Sequence, residues 1–382
     1  MEGVLFLEFI RSLPRQPKHA LVFVIDALDE CRDDRRRAAL LKVLTGAAAH
    51  APWLKVIITS RPEADIQRFF SALSRSSYSS HDLAADREGS VDLRTFAQRE
   101  FELVAEKWCL SMPWPEEPLF DAVISRANGL FIFIKTVVLA LKQCEDPTES
   151  LKATLQCSIG TGLKPLYGLY SSILEARILP GNAEFRRMIG VILTTAPYRP
   201  VCEETIAELA GVRSNLVRMW VKDLSTLLYR DETANGGIRV RHLSISDFFF
   251  SDNCAYQVNP RDTNMQLGIA CMKAMIKQLR FNICGLEDSR LPNVDVKDLA
   301  SRIKEHISDA LQYSSLYWVN HLCFTPDTGD LRMWENLGVF FGGLYGLFWI
   351  EVLSLLGMVS IGPPSLRRVI SWAKVSIPSG CQ

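Results

Sequence analysis

Several patterns that mark well-known kinds of active site are absent from this 382-residue sequence. The six histidines are isolated and form no HxH or HExxH pair, and the ten cysteines form no CxxC pair. Transition-metal centres depend on such spacings, so the sequence does not support one. A G-x-S-x-G segment is also missing, which excludes the nucleophile elbow of α/β hydrolases.

Neither an excess of charge nor a long apolar run points to a polyanion or a membrane. The 43 Lys and Arg residues balance 43 Asp and Glu residues, so the whole-chain field favours neither nucleic acid nor acidic lipid. The uncharged run from Leu337 to Ile350 is shorter than the about 20 residues that span a bilayer. We therefore predict a buried helix pair there and no membrane partner.

The cysteines and the first residues indicate the compartment. The cysteines lie scattered, mostly inside apolar helical patterns, which is typical of buried thiols in a reducing environment. The first residues lack a basic region before their apolar positions, so a secretory signal is not expected. Together these features predict a cytoplasmic protein.

Strand and helix patterns alternate in residues 1–85. Leu21 to Ile25 and Leu54 to Thr59 are continuous apolar runs, which are typical of parallel strands covered on both faces. Connections in such βαβ units place the carboxyl ends of both strands at one edge of the sheet. We also predict a helix up to Leu13, helices from Asp33 to Ala49 and from Pro62 to Leu73, and a short strand from Ser79 to Leu83.

The rest of the chain is mainly helical, with one exception. After helices predicted over Glu203 to Leu209 and Ser214 to Leu228, an Asn-Gly-Gly turn at 235–237 predicts a β-hairpin ending near Leu243. Two helices followed by a hairpin are typical of a winged helix. The predicted fold is multidomain α/β plus α: a partial parallel-sheet domain (1–85), a helical domain (86–196), a winged helix (197–256) and a helical C-terminal region (257–382).

Carboxylates follow the first predicted strand where a parallel sheet binds its ligands. Asp26 could hold Mg²⁺ through water, since this ion takes only one or two protein carboxylates. Asp29 or Glu30 could orient an attacking water, and Arg61, after the second strand, could reach a terminal phosphate. In the alternative reading, Asp29 and Asp33 cap the next helix and Glu30 lies favourably near its N-terminus.

The stretch "VFVIDALDEC" resembles the extended acidic Walker B segment of NACHT-domain proteins, which belong to the STAND class of signalling NTPases. The resemblance is strongest to the fungal type with a nephrocystin-3-like nucleotide-binding region. "VIITSRPE" resembles the sensor 1 segment of that family. Similar segments continue to about residue 355, in "SRANGLFIFIKTVV", "VRHLSISDFF", "LYWVNHL" and "LFWIEVLSLLG".

The resemblance implies a nucleotide site with ATP or ADP and Mg²⁺ as cofactors. Asp26 would coordinate Mg²⁺ through water, Asp29 or Glu30 would activate the attacking water, and Arg61 would sense phosphate. His242 would contact the β-phosphate of bound ADP in the resting state of a signalling switch that serves innate-type recognition. From its own surroundings, His242 reads as a surface or hydrogen-bonded histidine at the end of a hairpin.

The sequence departs from the family at the phosphate cradle. Such sites need G-x-x-x-x-G-K-[ST], and this sequence contains no Gly-Lys dipeptide. We therefore expect a module truncated before Walker B, which alone binds ATP weakly and does not hydrolyse it, so that enzyme activity stays open. The missing segment or other proteins would be its partners, and oligomerisation stays open. The alternative is an interaction protein that never carried the loop.

The predicted truncation has a consequence for the strands. Without the preceding strand and helix, the apolar runs at Leu21 to Ile25 and Leu54 to Thr59 should expose part of their side chains and backbone. Such a patch is either a partner surface or an aggregation hazard.

Two groups of basic residues are candidates for further functional features. The helix after Gly211 carries Arg213, Arg218 and Lys222 and resembles a DNA-reading helix. Its broad apolar face and the few cations disfavour DNA as a partner. The run Arg35 to Arg37 predicts a solvated helix face, which could also screen the nearby acidic cluster.

Overall fold

The computed structural model describes residues 20–31, 34–51, 53–83, 88–156, 165–252, 254–288, 291–324 and 330–376. The chain divides into two compact units, Met1–Asp86 and Arg87–Gln382. The described residues are mostly helical, with two small two-stranded sheets. The helix predicted up to Leu13 lies outside the described residues.

The first unit contains a parallel strand pair with a helix between the strands. Its elements are β1 (Leu21–Ile25), α1 (Asp34–His50), β2 (Leu54–Ile58) and α2 (Ala64–Ser71). Leu21 lies opposite Leu54, and Ile25 lies opposite Ile58. The prediction that these two apolar runs are neighbouring parallel strands is therefore confirmed. Small clusters such as Leu28, Leu41 and Ile66 hold the helices against this pair.

The strands are covered incompletely. Val22, Val24 and Ile57 keep 50%, 64% and 52% of their surface exposed. The predicted exposure of these apolar strands is thus confirmed for these residues. A contiguous apolar surface of this kind is typical of a contact site or an aggregation hazard.

The strand predicted from Ser79 to Leu83 is wrong, because these described residues form no strand. Tyr78 lies against Phe70 with ring centroids 5.3 Å apart, and Leu83 is exposed. Without a neighbouring strand, the backbone of a short polar segment gains nothing from the extended conformation.

A strained turn follows β1. Ala27 has φ 53° and ψ 52°, in the left-handed region, and precedes a short 3₁₀ turn at Leu28–Glu30. This conformation costs a non-glycine residue about 1–2 kcal/mol. The turn sets the direction of the Asp29 and Glu30 side chains. The strain at Ala27 is therefore the cost of placing these carboxylates.

We expect Ala27→Gly to raise the free energy of unfolding of the first unit by up to about 1 kcal/mol, because relief of strain outweighs the greater freedom of glycine in the unfolded chain. Hydrogen exchange of the β1 peptides measures the change. The matched control, Ala39→Gly in the exposed part of α1, should instead lose about 1 kcal/mol. Faster exchange in Ala27→Gly would contradict the expectation.

The second unit is built from helices and one antiparallel hairpin. In chain order its elements are α3 (Glu88–Trp108), α4 (Glu117–Ala127), α5 (Phe131–Leu141), α6 (Pro147–Gln156), α7 (Pro165–Glu175), α8 (Ala183–Thr195), α9 (Glu203–Ala210), α10 (Ser214–Asp223), β3 (Leu228–Asp231), β4 (Gly237–Val240), α11 (Leu243–Phe250), α12 (Pro260–Gln278), α13 (Leu299–His306), α14 (Asp309–Leu322), α15 (Leu331–Gly342), α16 (Tyr345–Leu355) and α17 (Gly362–Ser376).

The predicted hairpin is confirmed. Leu228 pairs with Val240, and Asp231 pairs with Gly237. Asn235 and Gly236 both take positive φ in the turn, at 51° and 71°, which explains why this residue pair marks it. The second strand ends at Val240, three residues before the predicted end, because α11 begins at Leu243.

One hydrophobic core extends through the second unit, from Leu93 in α3 to Trp372 in α17. Helix α8, which is buried from Met188 to Thr195, contributes Phe185, whose ring lies 5.6 Å from that of Trp220 and 5.7 Å from that of Tyr256. The division of this region at residues 196 and 256 stays a prediction. Cys254, Cys271 and Cys284 are buried thiols, whereas Cys109 is exposed.

Asp309 links the start of α14 to the start of α9 and to the connection that precedes it. Its Oδ1 lies 2.5 Å from Arg199 Nη2, and its Oδ2 accepts a hydrogen bond from Thr205 Oγ1 at 3.0 Å. Arg199 also donates to the Asp309 backbone carbonyl at 3.2 Å. Both oxygens of the carboxylate are therefore engaged by residues that precede it by more than a hundred positions.

A buried polar chain joins α12 to α14. His321 Nδ1 lies 2.9 Å from Asn264 Oδ1, and its Nε2 lies 2.9 Å from Tyr313 Oη. Because Asn264 Nδ2 donates to the carbonyl of Pro260, its Oδ1 accepts from His321 Nδ1–H. The Tyr313 hydroxyl then donates to Nε2. Desolvation by burial lowers the pKa of His321 to about 3, so the ring is neutral.

The apolar run after residue 336 forms the predicted helix pair, but it is only partly buried. Trp349 and Val352 lie in the core, whereas Val339, Leu344 and Leu347 are exposed. Among the described residues no single helix is long and apolar enough to cross a membrane. The consecutive helices α15 and α16 reach that apolar length only together, and they meet at 78°.

Candidate functional site

The carboxyl ends of β1 and β2 bring Asp26 and Thr59 together. Thr59 N donates to Ile25 O at 2.9 Å, and Thr59 O accepts from Leu28 N at 3.0 Å, which extends the strand pairing past its last residues. The Thr59 hydroxyl donates to Asp26 Oδ1 and accepts from Ala27 N. Asp26 is thus held at the edge of the pair while its side chain stays exposed.

Asp29 fastens the loop after β1 to the loop after β2. Its Oδ1 accepts hydrogen bonds from Arg61 N at 3.0 Å and from Ser60 Oγ at 3.3 Å. Its Oδ2 lies 3.6 Å from Arg61 Nε, and only 7% of the Asp29 side chain is exposed. The carboxylate therefore positions Arg61, and it does not cap α1 as the alternative reading of the sequence supposed. Asp33 lies outside the described residues.

Glu30 differs from its neighbour. Its side chain is exposed, and its carboxylate has no hydrogen-bond or ion-pair partner among the residues that the structure describes. The sequence leaves Asp29 and Glu30 equivalent, but the geometry separates them. Asp29 is engaged in the loop, and Glu30 is the carboxylate available to a bound water.

Arg37 is buried beside the site. This corrects the prediction that Arg35 to Arg37 form a solvated helix face. Arg35 and Arg36 are exposed as predicted, but Arg37 keeps only 5% of its surface. Its Nε donates to Asp65 Oδ2 at 2.8 Å, and its Nη1 donates to the carbonyl of Cys31 at 2.6 Å. The prediction of a solvated face was wrong here because Arg37 lies on the same buried stripe of α1 as Leu41 and Leu44, at helical spacing.

The charges around Arg37 support one another. Desolvation alone would raise the pKa of Asp65, but the hydrogen bond from Arg37 brings it below its usual value. Desolvation likewise opposes the charge on Arg37, and Asp65 and Asp34 nevertheless raise the pKa of this guanidinium. Both groups are therefore ionised near neutral pH, and α1 is bound to the start of α2.

The arrangement fits a hydrated cation better than a directly ligated one. In the described parts of the chain, no group of three or more His, Cys, Asp or Glu side chains could hold a metal. Asp26 offers one exposed carboxylate, of which Thr59 occupies Oδ1. This suits Mg²⁺, which keeps several waters and takes its remaining ligands from phosphate oxygens.

His242 belongs to the second unit, where it caps the N-terminus of α11. Its Nδ1 accepts from Ser244 N at 3.2 Å and lies 2.7 Å from Ser244 Oγ. Ser244 Oγ in turn lies 2.9 Å from the hydroxyl of Tyr170. Burial raises the pKa of Tyr170 to about 12, so this hydroxyl stays protonated. The geometry is that of a hydrogen-bonded histidine at the end of a hairpin.

Comparison with protein families places the first strands within a known family model. Residues 4–61 match the family described as Nephrocystin 3, N-terminal. The matched range contains β1, β2 and the candidate residues Asp26, Asp29, Glu30 and Arg61, and it ends before His242. A search of curated proteins found no match.

Proposed function

We propose that this chain is part of the nucleotide-binding and regulatory module of a NACHT-type signalling ATPase of the STAND class. The observation that carries the proposal is the hydrogen-bonded edge where Thr59 holds Asp26 and Asp29 holds Arg61. The nephrocystin-3-like match over residues 4–61 supports it, because it covers this edge.

Each side chain at the edge receives one role in this proposal. Asp26 holds Mg²⁺ through water, and the ion, when bound, neutralises phosphate charge. Glu30 orients the attacking water, since its carboxylate is not engaged within the described structure. Arg61 recognises the terminal phosphate, and Asp29 sets the direction of its guanidinium.

The second unit supplies the regulatory part of the proposal. Helices α9 and α10 followed by the β3–β4 hairpin support the proposal of a winged helix. His242 Nδ1 accepts from Ser244 N, so a neutral ring carries its proton on Nε2. We assign this N–H to the β-phosphate of ADP in the resting state.

This chain alone should not respond to nucleotide. Because the sequence lacks the Gly-Lys cradle, we expect millimolar ATP·Mg²⁺ to leave the melting temperature unchanged. Even nucleotide at one hundred times Kd stabilises by only about 2.7 kcal/mol, so a shift of several degrees requires real affinity. Thermal melts with and without ATP·Mg²⁺ test this. Asp26→Asn and a control at exposed Glu63, Glu63→Gln, should behave like wild type.

A clear shift with ATP·Mg²⁺ that persists in Glu63→Gln and disappears in Asp26→Asn would overturn the expectation of weak binding. It would show that another segment of this chain cradles the phosphates. The assignment of Asp26 to the cation would then be supported.

The alternative function is an interaction protein without nucleotide chemistry, and the exposed side chains of Val22, Val24 and Ile57 favour it. The coding sequence upstream of Met1 separates the two functions. An in-frame segment that encodes GxxxxGK[ST] supports the ATPase module. An in-frame stop codon supports the interaction protein.

A DNA-binding function has less support. Arg218 Nη2 lies 2.7 Å from Glu204 Oε1, and its Nε lies 3.9 Å from Glu203 Oε2. Arg218, which would have to contact a DNA phosphate, is therefore already paired with glutamates. Trp220 and the apolar face of α10 are buried in the core.

A further inference from the structure

We propose that a cleft between the end of α14 and α17 binds a small anionic amphiphile, a molecule with one anionic head group and an apolar tail. The cleft is lined by Cys323, Arg367, Arg368, Ser371, Trp372 and Val375 and has a volume of about 420 Å³. This volume lies within the range of about 300–1,000 Å³ that is typical of small-molecule sites. None of these residues belongs to the proposed nucleotide site.

The order of residues along α17 gives the cleft a direction. Arg367, Ser371 and Val375 follow one another at intervals of four residues, and Arg368 and Trp372 form the neighbouring row. The longer row extends about 12 Å along the helix. Both guanidinium groups lie towards one end, and the indole and the valine lie towards the other.

The cationic end suits an anion. Arg367 is exposed, and its guanidinium group has no hydrogen-bond or ion-pair partner in the described structure. Arg368 Nη1 donates to Asn320 Oδ1 at 2.5 Å, which fixes the direction of its guanidinium. No carboxylate occurs among the described residues that line the cleft. Two adjacent guanidinium groups without a carboxylate favour a carboxylate or phosphate ligand.

The other end of the cleft suits an apolar tail. Trp372 stacks on Trp334 with ring centroids 5.0 Å apart, so its indole forms a rigid wall. Val375 is 76% exposed and would be covered by a ligand. Burial raises the pKa of the Cys323 thiol, which is therefore neutral and does not repel an anion. Free phosphate would leave Trp372 and Val375 exposed to water, whereas the tail of an amphiphile covers them, which favours the amphiphile.

The ligand class is tested by calorimetric titration of the full chain, carried on a soluble fusion partner that also serves alone as the blank. Decanoate is the probe, decanol has the same tail length without charge, and inorganic phosphate has charge without a tail. We expect decanoate to bind at least about tenfold more tightly than decanol, the lower limit for hydrogen bonds to a charged group. It should also bind more tightly than phosphate, because only decanoate covers apolar surface. Decyl phosphate, which matches the tail length, identifies the head group: tighter binding than decanoate indicates phosphate, and weaker binding indicates carboxylate.

Variants on α17 locate the site. Arg367→Ala should weaken decanoate binding by about tenfold, and Val375→Asp should also weaken it, because it places a charge beside the tail. Lys374→Ala removes a cation from the same helix outside the cleft and should leave binding unchanged. Circular dichroism verifies that each variant is folded.

Three results would overturn the proposal. Decanoate fails to bind at millimolar concentration, decanol binds as tightly as decanoate, or Arg367→Ala and Lys374→Ala bind decanoate equally. Each result bears on α17 alone and leaves the proposed nucleotide site unaffected.

Discussion

Lowering the pH from 7.5 to 5 is expected to reduce the free energy of unfolding of the second unit by about 2 kcal/mol through His321 alone. Burial lowers the pKa of this ring to about 3, whereas an unfolded histidine titrates near 6.5. Between these values the unfolded chain binds the extra proton. The stability is therefore fully present above pH 6.5 and is lost as the pH falls towards 3.

The hydrogen bonds explain why the protonated ring does not fit. Nδ1–H already donates to Asn264, and Nε2 accepts from Tyr313, whose hydroxyl stays protonated because burial raises its pKa. A proton on Nε2 would face a hydroxyl hydrogen and would have to displace it. A buried charge would also lie inside a core that offers it no carboxylate partner in this hydrogen-bonded chain.

Urea unfolding at several pH values measures the effect. Tryptophan fluorescence reports mainly the second unit, because Trp53 is the only one of the eight tryptophans in the first. His321→Gln should lower stability at pH 7.5, because a flexible amide side chain does not hold its donor and acceptor as rigidly as the two ring nitrogens, but it should weaken the dependence on pH. The control, His306→Gln, should keep the wild-type dependence. Equal pH dependence in wild type and His321→Gln would contradict the assignment.

Replacing Arg37 by alanine is expected to lower the stability of the first unit by about 3 kcal/mol, the lower end for a broken buried ion pair, since Asp65 is partly exposed. The variant leaves the Asp65 carboxylate and the carbonyl of Cys31 without their donor. Arg37→Lys should lose less, because it keeps the charge but not the forked geometry.

Hydrogen exchange of peptides from β1 and β2 reports the stability of the first unit directly. The matched control is Arg36→Ala, the exposed neighbour, for which we expect a change within about 0.5 kcal/mol. If Arg37→Ala and Arg36→Ala exchange at the same rate, the buried guanidinium does not stabilise this unit.

The elements that sequence patterns predicted well are those with a local cause. The two continuous apolar runs predicted β1 and β2 and their parallel pairing, since buried parallel strands have this composition. Asn235 and Gly236 predicted the hairpin because both must adopt positive φ. The grouping of Asp26 with Thr59 and Arg61 followed from the common edge of parallel strands.

The features that the sequence did not predict depend on distant partners. Arg37 keeps its charge on the buried stripe of α1 because Asp65, 28 residues later, accepts its hydrogen bond. Asp29 and Glu30 differ because Ser60 and Arg61 contact only the Asp29 carboxylate, which the local sequence does not indicate. His321 pairs with Asn264 across 57 residues. In each case the tertiary contact, and not the local pattern, determines the role of the side chain.

The hydrogen bonds from Arg199 and Thr205 to Asp309 have a consequence for synthesis on the ribosome. Arg199 precedes Asp309 by 110 residues, which translation at about 5–20 residues per second makes in about 5–20 s. During this interval the connection between α8 and α9 has emerged without the carboxylate that holds it, and the faces of α9 that contact α12 and α14 are uncovered. The nascent chain therefore passes through a stage at which the uncovered faces of α9 are a binding site for chaperones.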